Sequence, residues 1–189
     1  VYKGEDVYNF MYLAPSPHAK LYRTKLAKKI GFPHKVSFTD YLLYMLYFTK
    51  CKRAMHLDEG LAYYLVDREG NSMTDAKPDF HFTVFNSIIN QFELSKSNIE
   101  RFYHRMFLHV IYINSEITKI GNKNDFVEKR KLIYKLLKIC SKNRKKIYCF
   151  MENDKFKKKV VYRLLLNPMT SKYSFNYISN KMYNRIHKG

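Results

Sequence analysis

Five short segments between residues 15 and 74 decide how this chain is read. They are Lys20-Leu21-Tyr22-Arg23, Gly31-Phe32-Pro33, Phe38-Thr39-Asp40, Leu57-Asp58-Glu59-Gly60-Leu61-Ala62-Tyr63-Tyr64 and Arg68-Glu69-Gly70-Asn71-Ser72-Met73-Thr74. Leu21 to Lys29 predicts a short helix or turn that Gly31 ends, and residues 32–35 predict a loop. Thr39 is a candidate N-cap and puts Asp40 in the first helical turn, where a carboxylate meets the positive end of the helix dipole. Leu42, Leu43 and Leu46 then form an apolar stripe on a helix running to about Arg53. Residues 54–57 and 61–66 predict two short strands joined by the Asp58-Glu59-Gly60 turn. Residues 67–72 predict a polar loop, with Gly70-Asn71 marking a turn.

Outward from these segments, the pattern changes at residues 74–78. Beyond that junction it becomes helical and basic, with helices expected over 79–93, 97–117, 124–142, 154–166 and 173–186. Ser97, Asn98 and Glu100 mark one helix start. Phe102, Met106, His109, Val110 and Ile113 follow helical spacing, as do Leu132, Leu136, Leu137 and Cys140. Residues 147–151 read equally as a strand or as the start of a helix. The fold class is therefore α+β and predominantly helical, with two regions expected, 1–76 and a basic helical extension over 77–189.

The chain has 189 residues, of which 46% are hydrophobic, so a packed core is feasible. Its formal net charge is +19. That excess is unevenly placed: residues 1–75 carry 11 basic and 8 acidic side chains, whereas residues 76–189 carry 24 and 8. Between Lys119 and Arg163 the count is 16 basic to 4 acidic. Such a field favours a polyanion, either nucleic acid or an anionic membrane face. Tyr and Phe interleaved with the lysines could stack on bases, although their helical spacing also suits a core.

Other classes are excluded. The longest apolar run, Tyr41 to Phe48, is far too short for a transmembrane helix. Val1 to Phe10 carries Lys3, Glu5 and Asp6 and is no signal peptide. The three cysteines, Cys51, Cys140 and Cys149, form neither a CxxC motif nor a disulfide framework, which suggests a reducing, cytoplasmic compartment. The seven histidines read as scattered surface or half-buried groups, and His104 and His109 are not at the i, i+4 spacing of a helical zinc pair. No metal site is expected in the chain. A phosphate-cradling glycine loop and a serine nucleophile elbow are also absent.

In their order and spacing, the five opening segments resemble the second half of a family 2 glycosyltransferase of the GT-A fold, of the type that builds bacterial surface polysaccharides. The resemblance covers about residues 10–76. It implies transfer of a sugar, hexosyltransferase-like, from a nucleotide-sugar donor to a glycan or lipid-linked acceptor. It also implies a role for each matching residue. Asp40 falls on the family's general base, which takes the proton from the acceptor hydroxyl. Arg68 and Ser72 fall on a loop near the donor diphosphate or acceptor, and Tyr64 borders the acceptor cleft. Lys20 and Arg23 fall in a segment expected to serve packing. Thr39 stands where the family has Glu, Leu65 where it has Arg, and His18 where it often has Trp.

The family's nucleotide-binding half, with its DxD motif for a divalent Mg or Mn ion, has no counterpart in these residues. The expectation is therefore a fragment that is inactive alone. It would lie in the cytoplasm, peripherally on the inner face of the plasma membrane through its basic extension. The alternative expectation is a basic helical module for RNA or DNA, and a third is a structural remnant without activity.

Overall fold

The computed structural model describes residues 1–13, 15, 19–60, 78–95, 99–151 and 154–187. The expected strand at 61–66 and the polar loop at 67–72 lie outside them. The chain forms two compact units, Val1–Asn98 and Ile99–Gly189. The described structure is predominantly helical, as expected.

In the first unit, strands β1 (Tyr2–Lys3) and β2 (Arg53–Ala54) pair antiparallel, with Tyr2 opposite Ala54 and Lys3 opposite Arg53. A 3-10 segment, Gly4–Tyr12, follows β1 and buries Val7, Phe10 and Met11. The Phe10 ring stacks on Phe48, with centroids 5.5 Å apart. Helix α1 (Thr24–Ala27) is one turn long, within the span predicted as a short helix or turn. Helix α2 (Thr39–Phe48) is the centre of this unit. It ends five residues before the expected boundary, and Arg53 begins β2 instead.

Tyr41, Leu42, Tyr44, Met45, Leu46, Tyr47 and Phe48 of α2 are all buried. The helix is thus apolar nearly all round rather than striped, which marks it as an interior element. Helix α3 (Pro78–Leu94) packs on α2 and buries Val84, Phe85, Ile88, Ile89 and Phe92. A side chain in α3 also fixes the end of the α1 region. The Gln91 amide donates from Nε2 to the Gly31 carbonyl at 2.8 Å and accepts at Oε1 from the Gly31 N–H at 2.9 Å.

The second unit is all helix among its described residues: α4 (Glu100–Ile117), α5 (Lys123–Lys142), α6 (Arg144–Tyr148), α7 (Phe156–Leu166) and α8 (Ser171–His187). Residues 147–151 form neither a strand nor the start of the next helix: Ile147 and Tyr148 close α6, and 149–150 are a turn. Phe102, Met106, His109, Val110 and Ile113 of α4 are buried as their spacing predicts. On α5 the inner position is taken by Ile133, with Leu136, Leu137 and Cys140, while Leu132 is only half-buried.

Helix α5 begins at a side-chain cap. Asn122 Oδ1 accepts from the Asn124 and Asp125 N–H groups at 2.8 and 3.3 Å. Ser171, Phe175, Ser179 and Tyr183 recur every fourth residue along α8 and are buried. The far end of α8 is tied to the α4–α5 connection. The Tyr183 hydroxyl donates to the Gly121 carbonyl at 3.0 Å, and its ring stacks on Phe126 at 4.3 Å.

Candidate active site

Asp40 sits where the sequence places it, in the first turn of α2. The turn that delivers it is unusual. Thr39 was the expected N-cap, but Phe38 occupies that position, without a side-chain cap. Phe38 is left-handed, at φ 65° and ψ 24°, a conformation in which Cβ crowds the following carbonyl. Its ring stacks on His81 of α3, centroids 4.0 Å apart. The stack is a physical reason for a phenylalanine to hold this backbone. The Asp40 carboxylate is then fixed locally, because Oδ1 accepts from the Tyr41 N–H at 2.9 Å.

Asp40, Tyr44 and Tyr47 are spaced i, i+4 and i+7 and share one face of α2. The segment Lys20–Arg23 lies against that face. The Lys20 ammonium stands over the Tyr44 ring, 5.3 Å from its centroid. Tyr22 meets Tyr47 edge-on at 4.9 Å. The Tyr47 hydroxyl accepts from the Arg23 N–H at 2.9 Å. Residues 24 and 25 positions apart in the chain therefore meet on one helix face.

The electrostatics follow from that convergence. Burial lowers the pKa of Lys20, while the nearby Asp40 carboxylate works in the opposite direction. Tyr22 is pushed up to about 12, chiefly by burial, with the Asp40 charge and Tyr47 adding to it. Its phenol is therefore a proton donor throughout the physiological range. The arrangement offers a half-buried carboxylate beside an ammonium and a phenol, all in a mostly aromatic setting.

The expected residues fare differently. Asp40 is joined by Lys20, which was assigned only to packing, and by Tyr22. Tyr64, Arg68 and Ser72 lie outside the described residues. Tyr44 and Tyr47 carry a readable signal in their i+4 and i+7 spacing from Asp40, which the leucine stripe of α2 overlies. The histidines also differ from expectation, since His81, His104 and His109 are buried.

Comparison with protein-family models, with curated proteins and with solved structures found no match to this chain. Among the described residues, no three His, Cys, Asp or Glu side chains could jointly hold a metal ion. The resemblance places the divalent ion on the DxD motif of the nucleotide-binding half, and Asp40, a single carboxylate whose charge acts on Lys20 and Tyr22, does not fit as its site. Also among the described residues, no helix is long and apolar enough to cross a membrane.

Proposed function

We propose that residues 1–76, within the first unit, form the acceptor side of a GT-A glycosyltransferase. It would transfer a sugar from a nucleotide-sugar donor to a glycan or lipid-linked acceptor in surface-polysaccharide synthesis. The observation that carries this reading is the contact of the Lys20–Arg23 segment with Tyr44 and Tyr47 on the α2 face that also carries Asp40. Two of the segments that carry the sequence resemblance are thereby spatial neighbours.

In this reading Asp40 accepts the proton of the acceptor hydroxyl as that oxygen attacks the anomeric carbon, and the configuration inverts. The bond formed is acceptor oxygen to anomeric carbon, and the bond broken is anomeric carbon to the diphosphate oxygen. The contact between Asp40 Oδ1 and the Tyr41 N–H fixes the plane of the carboxylate. Positioning of a base in this way contributes on the order of 10²–10⁴-fold to rate. Arg68 would offset charge on the departing diphosphate, Ser72 would bind beside it, and Tyr64 would wall the acceptor cleft.

The test uses the product of the whole reading frame, assayed with a panel of nucleoside-diphosphate sugars and mixed cell-envelope acceptors. Transfer is expected. Asp40→Asn should lower kcat by on the order of 10²–10⁴-fold and leave donor affinity unchanged. Full turnover in Asp40→Asn would remove Asp40 from the mechanism, and absence of transfer with every donor would overturn the reading.

A further inference from the structure

Helix α7 carries two apolar faces, and only one is used by the fold. Tyr162, Leu165 and Leu166 are buried, with Tyr162 edge-on to Phe107 of α4 at 4.9 Å. On the other side, Phe156, Val160 and Leu164 are 80%, 41% and 43% exposed. Their i, i+4, i+8 spacing makes them a continuous stripe roughly opposite the buried face. At about 100° per residue, Arg163 falls about 20° to one side of this stripe and Lys157 about 20° to the other. Both cations are exposed. Just past the helix end, Met169 is 85% exposed.

We infer that this outer face of α7 docks on an anionic lipid bilayer. The helix would lie in the plane of the interface, its stripe in the acyl boundary and Lys157 and Arg163 at the lipid phosphates. Charge complementarity selects that occupant. Helix α7, Phe156–Leu166, contains no acidic residue. A second copy of the same face would set Lys157 and Arg163 against their own like charges. Nucleic acid would meet the cations, but only Phe156 of the stripe offers its bases a ring to stack on, and the aliphatic Val160 and Leu164 beside it offer none. An apolar stripe bordered by cations, on a helix too short to span, is what interfacial binding requires. This inference concerns the second unit and stands independently of the reading of Asp40.

The chain contains no tryptophan, so one introduced indole reports without background. In the whole chain, Phe156→Trp should show blue-shifted emission with vesicles of phosphatidylcholine mixed with phosphatidylglycerol, and none with phosphatidylcholine alone. In flotation with the mixed vesicles, Phe156→Ser/Leu164→Ser should bind about tenfold more weakly than the parent, because it removes two inserted side chains. Its circular dichroism and denaturation midpoint should be unchanged, since both positions are exposed. An unshifted Phe156→Trp spectrum at saturating mixed lipid would overturn the proposal. So would vesicle binding that survives Phe156→Ser/Leu164→Ser. A dimer or an oligonucleotide complex that Phe156→Ser/Leu164→Ser abolishes, without vesicle binding by the parent, would assign the face to that occupant instead.

Discussion

The Phe38 ring lies on the His81 imidazole with centroids 4.0 Å apart and planes inclined by 21°, while the Phe38 backbone is left-handed. The stack and the strain oppose each other, and the balance can be measured. Phe38→Ala keeps the strained backbone and loses the stack, so it should be the least stable variant. Phe38→Gly loses the same stack but relieves the backbone, and should be about 1 kcal/mol more stable than Phe38→Ala. Urea denaturation of the two variants gives the difference directly. Equal midpoints would mean that the left-handed conformation costs nothing here.

This turn also marks where sequence reading stopped. The helices of the second unit were legible because their buried residues repeat at helical spacing, as Phe102, Met106, Val110 and Ile113 do. The left-handed Phe38 was not, because aromatic residues carry no local preference for that conformation and its cause is His81, 43 positions away. Asp40 was legible as a first-turn carboxylate. Its electrostatic neighbourhood with Lys20 was not, since nothing local in Lys20–Arg23 says which helix face it will cover. The 3-10 segment Gly4–Tyr12 was missed for a related reason. Val7, Phe10 and Met11 are too few for a periodic signal, and their burial depends on partners such as Phe48.

Helices α4 and α8 share one fully buried polar contact. The Ser179 hydroxyl donates to Asn114 Oδ1 at 2.6 Å, and Asn114 Nδ2 approaches Met182 Sδ at 3.7 Å. Removing only the donor leaves a buried carbonyl oxygen without that partner. Ser179→Ala should therefore cost about 1–3 kcal/mol. In Asn114→Leu the hydroxyl loses its acceptor, a comparable cost. The double variant should be less destabilised than the sum, because two apolar groups then face each other. A double-mutant cycle in urea measures that coupling, and strict additivity would show that the two groups act independently.

The three thiols should react in a defined order. Cys149 is exposed, Cys51 is half-buried with its Sγ 2.9 Å from the Arg53 carbonyl, and Cys140 is buried in α5. Burial raises the Cys140 pKa strongly, and thiolate is the reacting form. A disulfide reagent at neutral pH should modify Cys149 first and Cys51 more slowly. Cys140 should follow only as the second unit opens, its rate rising with denaturant in step with loss of helix. Rapid modification of Cys140 in the native chain would show that α5 opens locally.

His104 makes the stability of the second unit depend on pH. Burial lowers its pKa to about 4; Asp154 opposes that shift, while Lys158 and Arg105 reinforce it. The unfolded chain binds the proton near the ordinary value of about 6.5. Between these two values the unfolded state holds more protons, so stability falls as pH is lowered through that window and is level above it. The loss attributable to His104 is on the order of 2–3 kcal/mol by pH 4. His104→Leu keeps an apolar group of similar reach and removes the proton site. Denaturation at pH 7, 5.5 and 4.5, all within or just above the window set by the shift, should show a steeper acid loss for the parent than for His104→Leu. Parallel profiles would mean that His104 is charged in the folded protein or reached by water, and that the acid sensitivity belongs to the carboxylates.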